Sequence, residues 1–145
     1  MKSRKRRAIK KIYIIEDDAM ICDMVARIVD TYFPDLELVG TSQNGRDVLN
    51  LSPEEQPDIA IVDIMLPGEN GLDILQPLKT KFSKIKVLIY SGFLTLDTIS
   101  MAVAGRADGV LDKSEGVEAL KIAIAVMMAE GYYYNPEIIE QLQTA

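Results

Sequence analysis

The segment Pro57-Asp58-Ile59-Ala60-Ile61-Val62-Asp63-Ile64-Met65-Leu66-Pro67-Gly68 decides the fold of this chain. Its four apolar residues at positions 59–62, three of them β-branched, lie between Pro57 and Gly68. A short apolar run with such boundaries is typical of a central strand in a parallel sheet. Asp63 follows this strand directly, at the place where parallel sheets hold ligands and reactive groups. Taken alone, Asp63 is equally consistent with a reactive group and with a residue that only caps the end of the strand. The rest of the chain has to distinguish these two roles.

On both sides of this segment, strand and helix patterns alternate along the chain. Apolar runs predict five strands, at residues 11–15, 36–40, 59–63, 85–90 and 109–111. Apolar residues at helical spacing predict five helices, at residues 19–32, 44–51, from about 70, 94–104 and 114–130, and a short last helix after Asn135. Asp18 and Asn135 are the predicted N-caps of the first and last helices. Pro77 should shorten or kink the third helix. This alternation predicts a doubly wound α/β domain, a five-stranded parallel sheet with helices on both faces.

The composition limits the kind of protein and the chemistry it can perform. The chain has 145 residues, which suits one domain, and 48% of them are hydrophobic. It has one cysteine, Cys22, and no histidine, which excludes a disulfide framework, a Cys/His zinc site and histidine acid–base chemistry. No apolar run has the length of a membrane span or the form of a signal peptide, so we expect a cytoplasmic protein without membrane contacts.

The charge is distributed unevenly along the chain. Seven of the 16 basic residues lie within the first eleven positions, which contain no acid. We interpret residues 1–10 as a basic, disordered N-terminal tail. The remainder carries nine basic and 22 acidic residues, a net charge of −13, which argues against direct DNA binding by this chain.

Polar residues follow four of the predicted strands. Glu16 and Asp17 follow the first strand, Asp63 the third, Ser91 the fourth and Lys113 the fifth. Because the carboxyl ends of parallel strands share one edge, we expect these groups to converge. Three neighbouring carboxylates repel one another, and hard oxygen ligands without nitrogen or sulfur favour Mg²⁺. An ammonium and a hydroxyl suit the oxygens of a transferring phosphoryl group, and an ionised carboxylate needs no histidine base, so Asp63 is a candidate phosphoryl acceptor.

The residues at these strand ends resemble the receiver domain of two-component response regulators. The similarity covers about residues 11–131 and is carried by Ile14-Ile15-Glu16-Asp17-Asp18, by residues 63–67 with Gly71, by Ser91-Gly92 and by Lys113. It implies a flavodoxin-like, chemotaxis-receiver-like sheet with strand order 2-1-3-4-5.

The resemblance also implies a function and a role for each residue. The protein would be a phosphorylation-controlled switch that receives a phosphoryl group on Asp63 from a sensor histidine kinase, a histidine phosphotransfer protein or a small phosphodonor. Asp17, Asp63 and the backbone carbonyl of Met65 would hold Mg²⁺, with Glu16 bound through water, and Ser91 and Lys113 would bind phosphoryl oxygens. Beyond its own phosphorylation and slow dephosphorylation, the domain would not be an enzyme.

Residues 113–115 and 130–137 are similar to receivers of LuxR-type regulators, in which a helix-turn-helix DNA-binding domain follows. The 145 residues contain no such domain after the receiver, so two alternatives stay open. The chain is a stand-alone receiver, or it is the receiver half of a LuxR-type DNA-binding transcription regulator, truncated before its output domain. We assign residues 11–131 to the receiver and 132–145 to a C-terminal extension with a short helix, which would be the linker in the second alternative.

The chain departs from the family pattern at two positions near Lys113. Val110 stands where many receivers have an aromatic switch residue. Ser114 stands where many have proline, and we expect it to be the N-cap of the fifth helix. Met65 and Phe93, which flank the path of the hydrolytic water in the family, are apolar here. They predict slow hydrolysis of the phosphoryl group unless they only pack within their loops.

The fifth predicted helix contains eight consecutive apolar residues, 122–129, so one face covers the sheet and the opposite face has little polar cover. That face is covered by residues 132–145 or forms a homodimer interface.

Two other functions are less consistent with the sequence. A Mg²⁺-dependent phosphatase needs a second acid two residues after its nucleophile, where this chain has Met65. A flavin module needs a glycine- and hydroxyl-rich loop after the first strand, where residues 16–18 would repel phosphate.

Overall fold

The apolar segment before Asp63 forms the middle of a parallel sheet in the computed structural model, which describes residues 8–134 and residue 140. The strands are β1 (Lys10–Ile15), β2 (Leu36–Ser42), β3 (Ile59–Val62), β4 (Lys86–Ser91), β5 (Gly109–Asp112) and β6 (Tyr133–Tyr134). Their order is β2-β1-β3-β4-β5-β6, and every neighbouring pair is parallel. The predicted flavodoxin-like order 2-1-3-4-5 is therefore confirmed, with one further strand at the edge.

Helices cover both faces of this sheet. They are α1 (Ala19–Tyr32), α2 (Gly45–Leu49), α3 (Leu75–Lys81), α4 (Leu96–Ala104) and α5 (Val117–Met128). Side chains of α1 and α5 share one core layer with Ile59 and Ile61, and those of α2, α3 and α4 share the other with Ala60 and Val62. The strand before Asp63 is thus buried on both sides, which explains why it is apolar throughout.

Polar residues fix where three of the helices begin. Asp18 accepts hydrogen bonds from the backbone of Met20 and Ile21, as predicted for the N-cap of α1. Asn44 caps α2 in the same way. Thr95 and Thr98 form a capping box, and therefore α4 begins at Leu96, two residues later than predicted.

The start of α5 differs from the prediction, and Ser114 is not its N-cap. The carboxylate of Asp112 accepts a hydrogen bond from the backbone N–H of Ser114 at 2.8 Å, and Lys113–Glu115 form a 3₁₀ turn. Gly116 then turns the chain at φ 92°, a conformation that favours glycine, and α5 begins after it at Val117. Asp112 is thus the cap of the 3₁₀ turn, and Gly116 separates this turn from α5.

Pro77 lies in the first turn of α3, because Gly71–Ile74 form a 3₁₀ turn and the α-helix starts only at Leu75. In a first turn, the N–H that proline lacks would have no partner within the helix, so Pro77 is accommodated there.

The strand β6 is the main element that the sequence analysis did not predict. Tyr133 and Tyr134 were assigned to the C-terminal extension, and they pair with Gly109 and Val110 of β5. A short antiparallel hairpin, Met65–Leu66 with Glu69–Asn70, also follows Asp63. The predicted last helix after Asn135 and residues 1–7 of the basic tail lie outside the described residues. In the described part of the chain, the helices are too short or too polar to cross a membrane.

Candidate functional site

The register of the central strands brings the first two acids of the site together. Ile15 in β1 pairs with Val62 in β3, and Val62 pairs with Ile89 in β4. The residues after Ile15 and Val62 are Glu16 and Asp63, so both leave the sheet at the same level. Both are buried, each with 4% of its surface exposed.

The neighbouring strands add a hydroxyl and an ammonium at the same edge. Ser91, the last residue of β4, is fully buried and pairs with Asp112, and Lys113 comes next in the chain. The ammonium Nζ of Lys113 lies 3.0 Å from Oδ2 of Asp63 and 2.5 Å from Oε1 of Glu16. One cation therefore bridges two buried carboxylates. The convergence of these groups at one edge of the sheet was predicted from the sequence, whereas the ion pair between Lys113 and Glu16 was not.

A third carboxylate completes an acidic cluster. Glu16, the exposed Asp17 and Asp63 each offer one oxygen, and these oxygens lie within 4.8 Å of one another. Oε2 of Glu16 accepts hydrogen bonds from the backbone of Asp17 at 3.0 Å and Asp18 at 3.3 Å. Oε1 of Glu16 is buried beside Nζ of Lys113, and among the described residues no other donor bonds to it. Three oxygen donors that Lys113 neutralises only in part fit a hard divalent cation such as Mg²⁺.

Hydrogen bonds and the close approach of Gly71 fix the backbone around Asp63. Oδ1 of Asp63 accepts a hydrogen bond from the backbone N–H of Met65 at 3.3 Å, and Gly71 donates its N–H to the carbonyl of Ile64 at 2.8 Å. A Cβ atom at Gly71 would lie 1.8 Å from the carbonyl oxygen of Asp63. Only glycine allows this approach, so the loop after the hairpin fixes the position of Asp63. In the sequence alone, Gly71 is recognisable solely as part of the family resemblance.

The electrostatics give the two buried acids opposite protonation tendencies. Burial raises the pKa of Glu16 to about 7, because the attraction of Lys113 does not outweigh burial and the charge of Asp63. Burial would also raise the pKa of Asp63, but hydrogen bonds from Lys113, Glu16 and Ser91 lower that pKa below its usual value. Burial would lower the pKa of Lys113, and both carboxylates raise it instead. At neutral pH, Asp63 is an anion beside a cation, which is the state a nucleophilic carboxylate requires.

Four other residues near the site have clear positions. Asp18 is a cap, as we expected, and Asp112 is also a cap, since their carboxylates accept hydrogen bonds from backbone N–H groups. Met65 and Phe93 are exposed rather than packed within their loops. The backbone N–H of Phe93 donates to the hydroxyl of Ser91 at 3.2 Å, which ties this loop to the site.

Comparison with known proteins gives a consistent result. The family profile described as "Response regulator receiver domain" matches residues 12–125. The transcriptional regulatory protein DesR of Bacillus subtilis (strain 168) is 30% identical over 131 residues, which are 90% of this chain and 64% of that protein. The chain spans between 50% and 64% of the lengths of the curated relatives it matches.

Solved structures are also similar to this one. A LuxR-family two-component response regulator from Aurantimonas sp. has a TM-score of 0.83 at 20% identity, over 94% of this chain and 97% of that one, which shows the fold. A LuxR-family DNA-binding response regulator from Staphylococcus aureus has a TM-score of 0.73 at 28% identity, over 82% of this chain and 98% of that one.

Proposed function

Because the chain belongs to the response regulator receiver domain family, we propose that its switch is the phosphorylation of Asp63. The observation that carries this proposal is the pairing of a buried, ionised Asp63 with the ammonium of Lys113 at 3.0 Å. Receivers act in signalling rather than in turnover of a substrate. The donor would be a sensor histidine kinase, a histidine phosphotransfer protein or a small acyl phosphate.

The chemistry is a transfer to a carboxylate oxygen. An oxygen of Asp63 forms a bond to phosphorus, while the P–N bond of a phosphohistidine or the P–O bond of an acyl phosphate breaks. The electron pair of the broken bond leaves with the donor, and the product is an aspartyl phosphate. Lys113 can move its bond from the carboxylate to the new phosphoryl oxygens, and Ser91 can bind another of them.

A divalent cation is the expected cofactor. Asp17, Asp63 and the backbone carbonyl of Met65 would hold Mg²⁺, with Glu16 bound through water. When bound, Mg²⁺ would supply positive charge against the carboxylates and the phosphoryl oxygens. The acidic cluster supports this assignment, because one oxygen from each of its three carboxylates lies within 4.8 Å of the others.

The phosphoryl group should be lost slowly. Met65 and Phe93 flank the site and are exposed, and neither side chain has a group that can hold and orient an attacking water. We therefore expect a lifetime much longer than seconds in Mg²⁺ buffer, which Met65→Glu should shorten. A lifetime of seconds in the unmodified protein would contradict this part of the proposal.

Intact-mass spectrometry with acetyl phosphate tests the function. The protein should gain one phosphoryl group with Mg²⁺ and none with EDTA, and Asp63→Ala should gain none. Asp112→Ala is the matched control, because Asp112 lies at the same edge but caps a turn, and it should still be phosphorylated. Equal labelling of Asp63→Ala and the wild type would overturn the proposal.

A homodimer through α5 is the interaction that we propose for the switch. Val117 and Ile122 on α5 expose 44% and 54% of their surfaces, and β6 does not cover them. Burying these side chains against a second copy would remove apolar surface from water.

The second candidate is the receiver half of a LuxR-type DNA-binding transcription regulator. It is favoured by the name of DesR, a transcriptional regulatory protein, and by the 64% of DesR that the match covers. Immunoblotting the native protein from its source cells distinguishes the two. A band at the size of these 145 residues supports a stand-alone switch, and a larger band supports the regulator.

A further inference from the structure

A second cavity lies at the opposite edge of the sheet from Asp63, near the first residues of β4 and β5. It has a volume of about 540 Å³. This is within the range of about 300–1,000 Å³ that is usual for small-molecule sites. Its polar lining includes Lys79, Lys84, Lys86, Arg106 and Asp108. We call it the basic cleft.

The charge of the basic cleft contrasts with that of the rest of the domain. Residues 12–145 contain nine basic side chains against 22 acidic ones, and four of the nine line this one cleft. Among the described residues that line the cleft, Asp108 is the only acid. A local excess of positive charge therefore lies on a chain whose field is otherwise negative, which favours small anions over polyanionic surfaces.

Two cations in the cleft share a single carboxylate. Nζ of Lys79 lies 2.5 Å from Oδ2 of Asp108, and Nζ of Lys86 lies 3.4 Å from Oδ1. The side chains of Lys79, Lys86 and Asp108 are 10%, 16% and 6% exposed. Two largely buried lysine side chains with one counter-charge leave an excess of positive charge that a bound anion would neutralise.

Two further cations of the cleft, Arg106 and Lys84, have no structural role in capping or ion pairing among the residues that the structure describes. Arg106 follows α4 at φ 66°, where glycine is preferred. The end of α4 is closed by backbone bonds, from Arg106 N–H to Val103 O and from Ala107 N–H to Ala102 O. In the described part of the chain, no carboxylate lies within ion-pair distance of Arg106 or Lys84. Capping and ion pairing therefore do not account for these two side chains.

One wall of the cleft is apolar and aromatic. The ring of Tyr132 is exposed, and Nζ of Lys86 lies 4.2 Å from its centroid. The exposed side chain of Val103 is also part of the lining. An inorganic ion would leave the ring of Tyr132 in contact with water, whereas an organic group can pack against it.

We propose that the basic cleft binds a small organic phosphate, with the phosphate held by Lys84, Lys86 and Arg106 and the organic group packed on Tyr132. Ammonium and guanidinium groups that line one cleft match the charge of a phosphate and can donate hydrogen bonds to its oxygens. This site is independent of Asp63 and lies at the other end of the strands.

Amide chemical shifts of ¹⁵N-labelled protein test the proposal. The titrants are adenosine 5′-monophosphate, inorganic pyrophosphate and adenosine, in EDTA and at matched ionic strength. The nucleotide and pyrophosphate should shift the amides of Ser83, Arg106 and Ala107, and the nucleotide should bind more tightly. Adenosine should bind weakly or not at all. Shifts confined to the Asp63 edge, or a response equal to that of added chloride, would overturn the proposal.

A pair of glycine variants provides the matched control. Arg106 and Glu130 both follow a helix with positive φ, at 66° and 61°. Glycine therefore relieves the same backbone strain at either position. Arg106→Gly should weaken nucleotide binding by about tenfold, the usual effect of losing one charged hydrogen-bonding group. Glu130→Gly should leave binding unchanged. If both folded variants bound the nucleotide equally well, the proposed role of the cleft would be refuted.

Discussion

Asp63 is held from two sides, by the ammonium of Lys113 and by the backbone contact of Gly71. The first contact sets its charge and the second sets its position. Sequence analysis could identify Asp63 and Lys113 because both follow strands whose ends meet at one edge. It could not show that Lys113 also binds Glu16, because that contact depends on side-chain conformations 97 positions apart in the chain.

Gly71→Ala should damage both stability and phosphorylation. The new Cβ would lie 1.8 Å from the carbonyl oxygen of Asp63, so the backbone has to move. We expect a loss of roughly 2–4 kcal/mol in the free energy of unfolding. Displacement of Asp63, the proposed acceptor, should slow phosphorylation by about tenfold or more. Urea unfolding and the rate of mass gain with acetyl phosphate measure the two effects.

Gly92→Ala is the control for this prediction. It is next to Ser91, but a Cβ there meets no atom within 4 Å. Its stability should change by less than about 1 kcal/mol. If the two alanine variants behaved alike, the close approach of Gly71 to Asp63 would not be what fixes the acceptor.

The raised pKa of Glu16 predicts a pH dependence of the metal-free protein. Between its ordinary value of 4.5 and its folded pKa of about 7, the folded protein keeps a proton that the unfolded chain has lost. The free energy of unfolding should therefore fall as pH rises through this window and become level above it. The lowered pKa of Asp63 acts below this window and the raised pKa of Lys113 above it.

Glu16→Gln removes this titration without changing the shape of the side chain. In EDTA, the variant should gain roughly 1–3 kcal/mol relative to the wild type between pH 5 and pH 8. Urea unfolding at a series of pH values measures the difference. A difference that stays constant across the window would show that Glu16 is already ionised at pH 5.

At the scale of the elements, the sequence predicted those strands and helices that are determined by residues within or next to the element itself. The apolar run of β3 and the caps Asp18 and Asn44 are visible without a structure. The predicted start of α5 was wrong, because Ser114 donates its N–H to Asp112 within a separate 3₁₀ turn and Gly116 divides this turn from the helix. The strand β6 has only two residues, and its partner is the edge of β5, which local sequence does not encode.

Tyr134→Phe tests how firmly β6 is attached. The hydroxyl of Tyr134 donates a hydrogen bond to the carbonyl of Ala107 at 2.5 Å. Burial raises the pKa of Tyr134 to about 12, so the hydroxyl remains a donor at neutral pH. Loss of this bond should lower the free energy of unfolding by about 1 kcal/mol, measured in urea.

Tyr132→Phe serves as the comparison, because Tyr132 is exposed and its hydroxyl should contribute little. Equal losses in the two variants would mean that β6 is not held by the hydroxyl of Tyr134.

Across the whole molecule, the sheet separates two sites with opposite charge. The acids at the carboxyl ends of the strands are expected to receive a phosphoryl group, and the basic cleft is expected to bind an anion at the other end. The sequence predicted the first site, because its residues follow predicted strands. It gave no indication of the second, whose residues come from α3, β4 and the segment before β5 and meet only in the folded chain.

The proposed dimer is also a property of the whole molecule. Light scattering should show a dimer that is strengthened by acetyl phosphate and Mg²⁺, and Ile122→Glu should weaken it by about tenfold or more because it places a charge in an apolar interface. Met101→Glu places the same charge on the exposed side of α4, across the sheet from α5, and serves as the control. A monomer in both phosphorylation states would exclude the dimer and leave the phosphorylation of Asp63 unaffected.

Reductive trapping of the phosphorylated protein tests the central claim most directly. Borohydride converts an aspartyl phosphate to homoserine, and peptide mass spectrometry locates the converted residue. After treatment with acetyl phosphate and Mg²⁺, we predict homoserine at position 63 and unchanged aspartate at Asp17, Asp18 and Asp112. Homoserine at one of those three positions, or no conversion in a folded protein that binds Mg²⁺, would contradict the assignment of Asp63 as the phosphoacceptor.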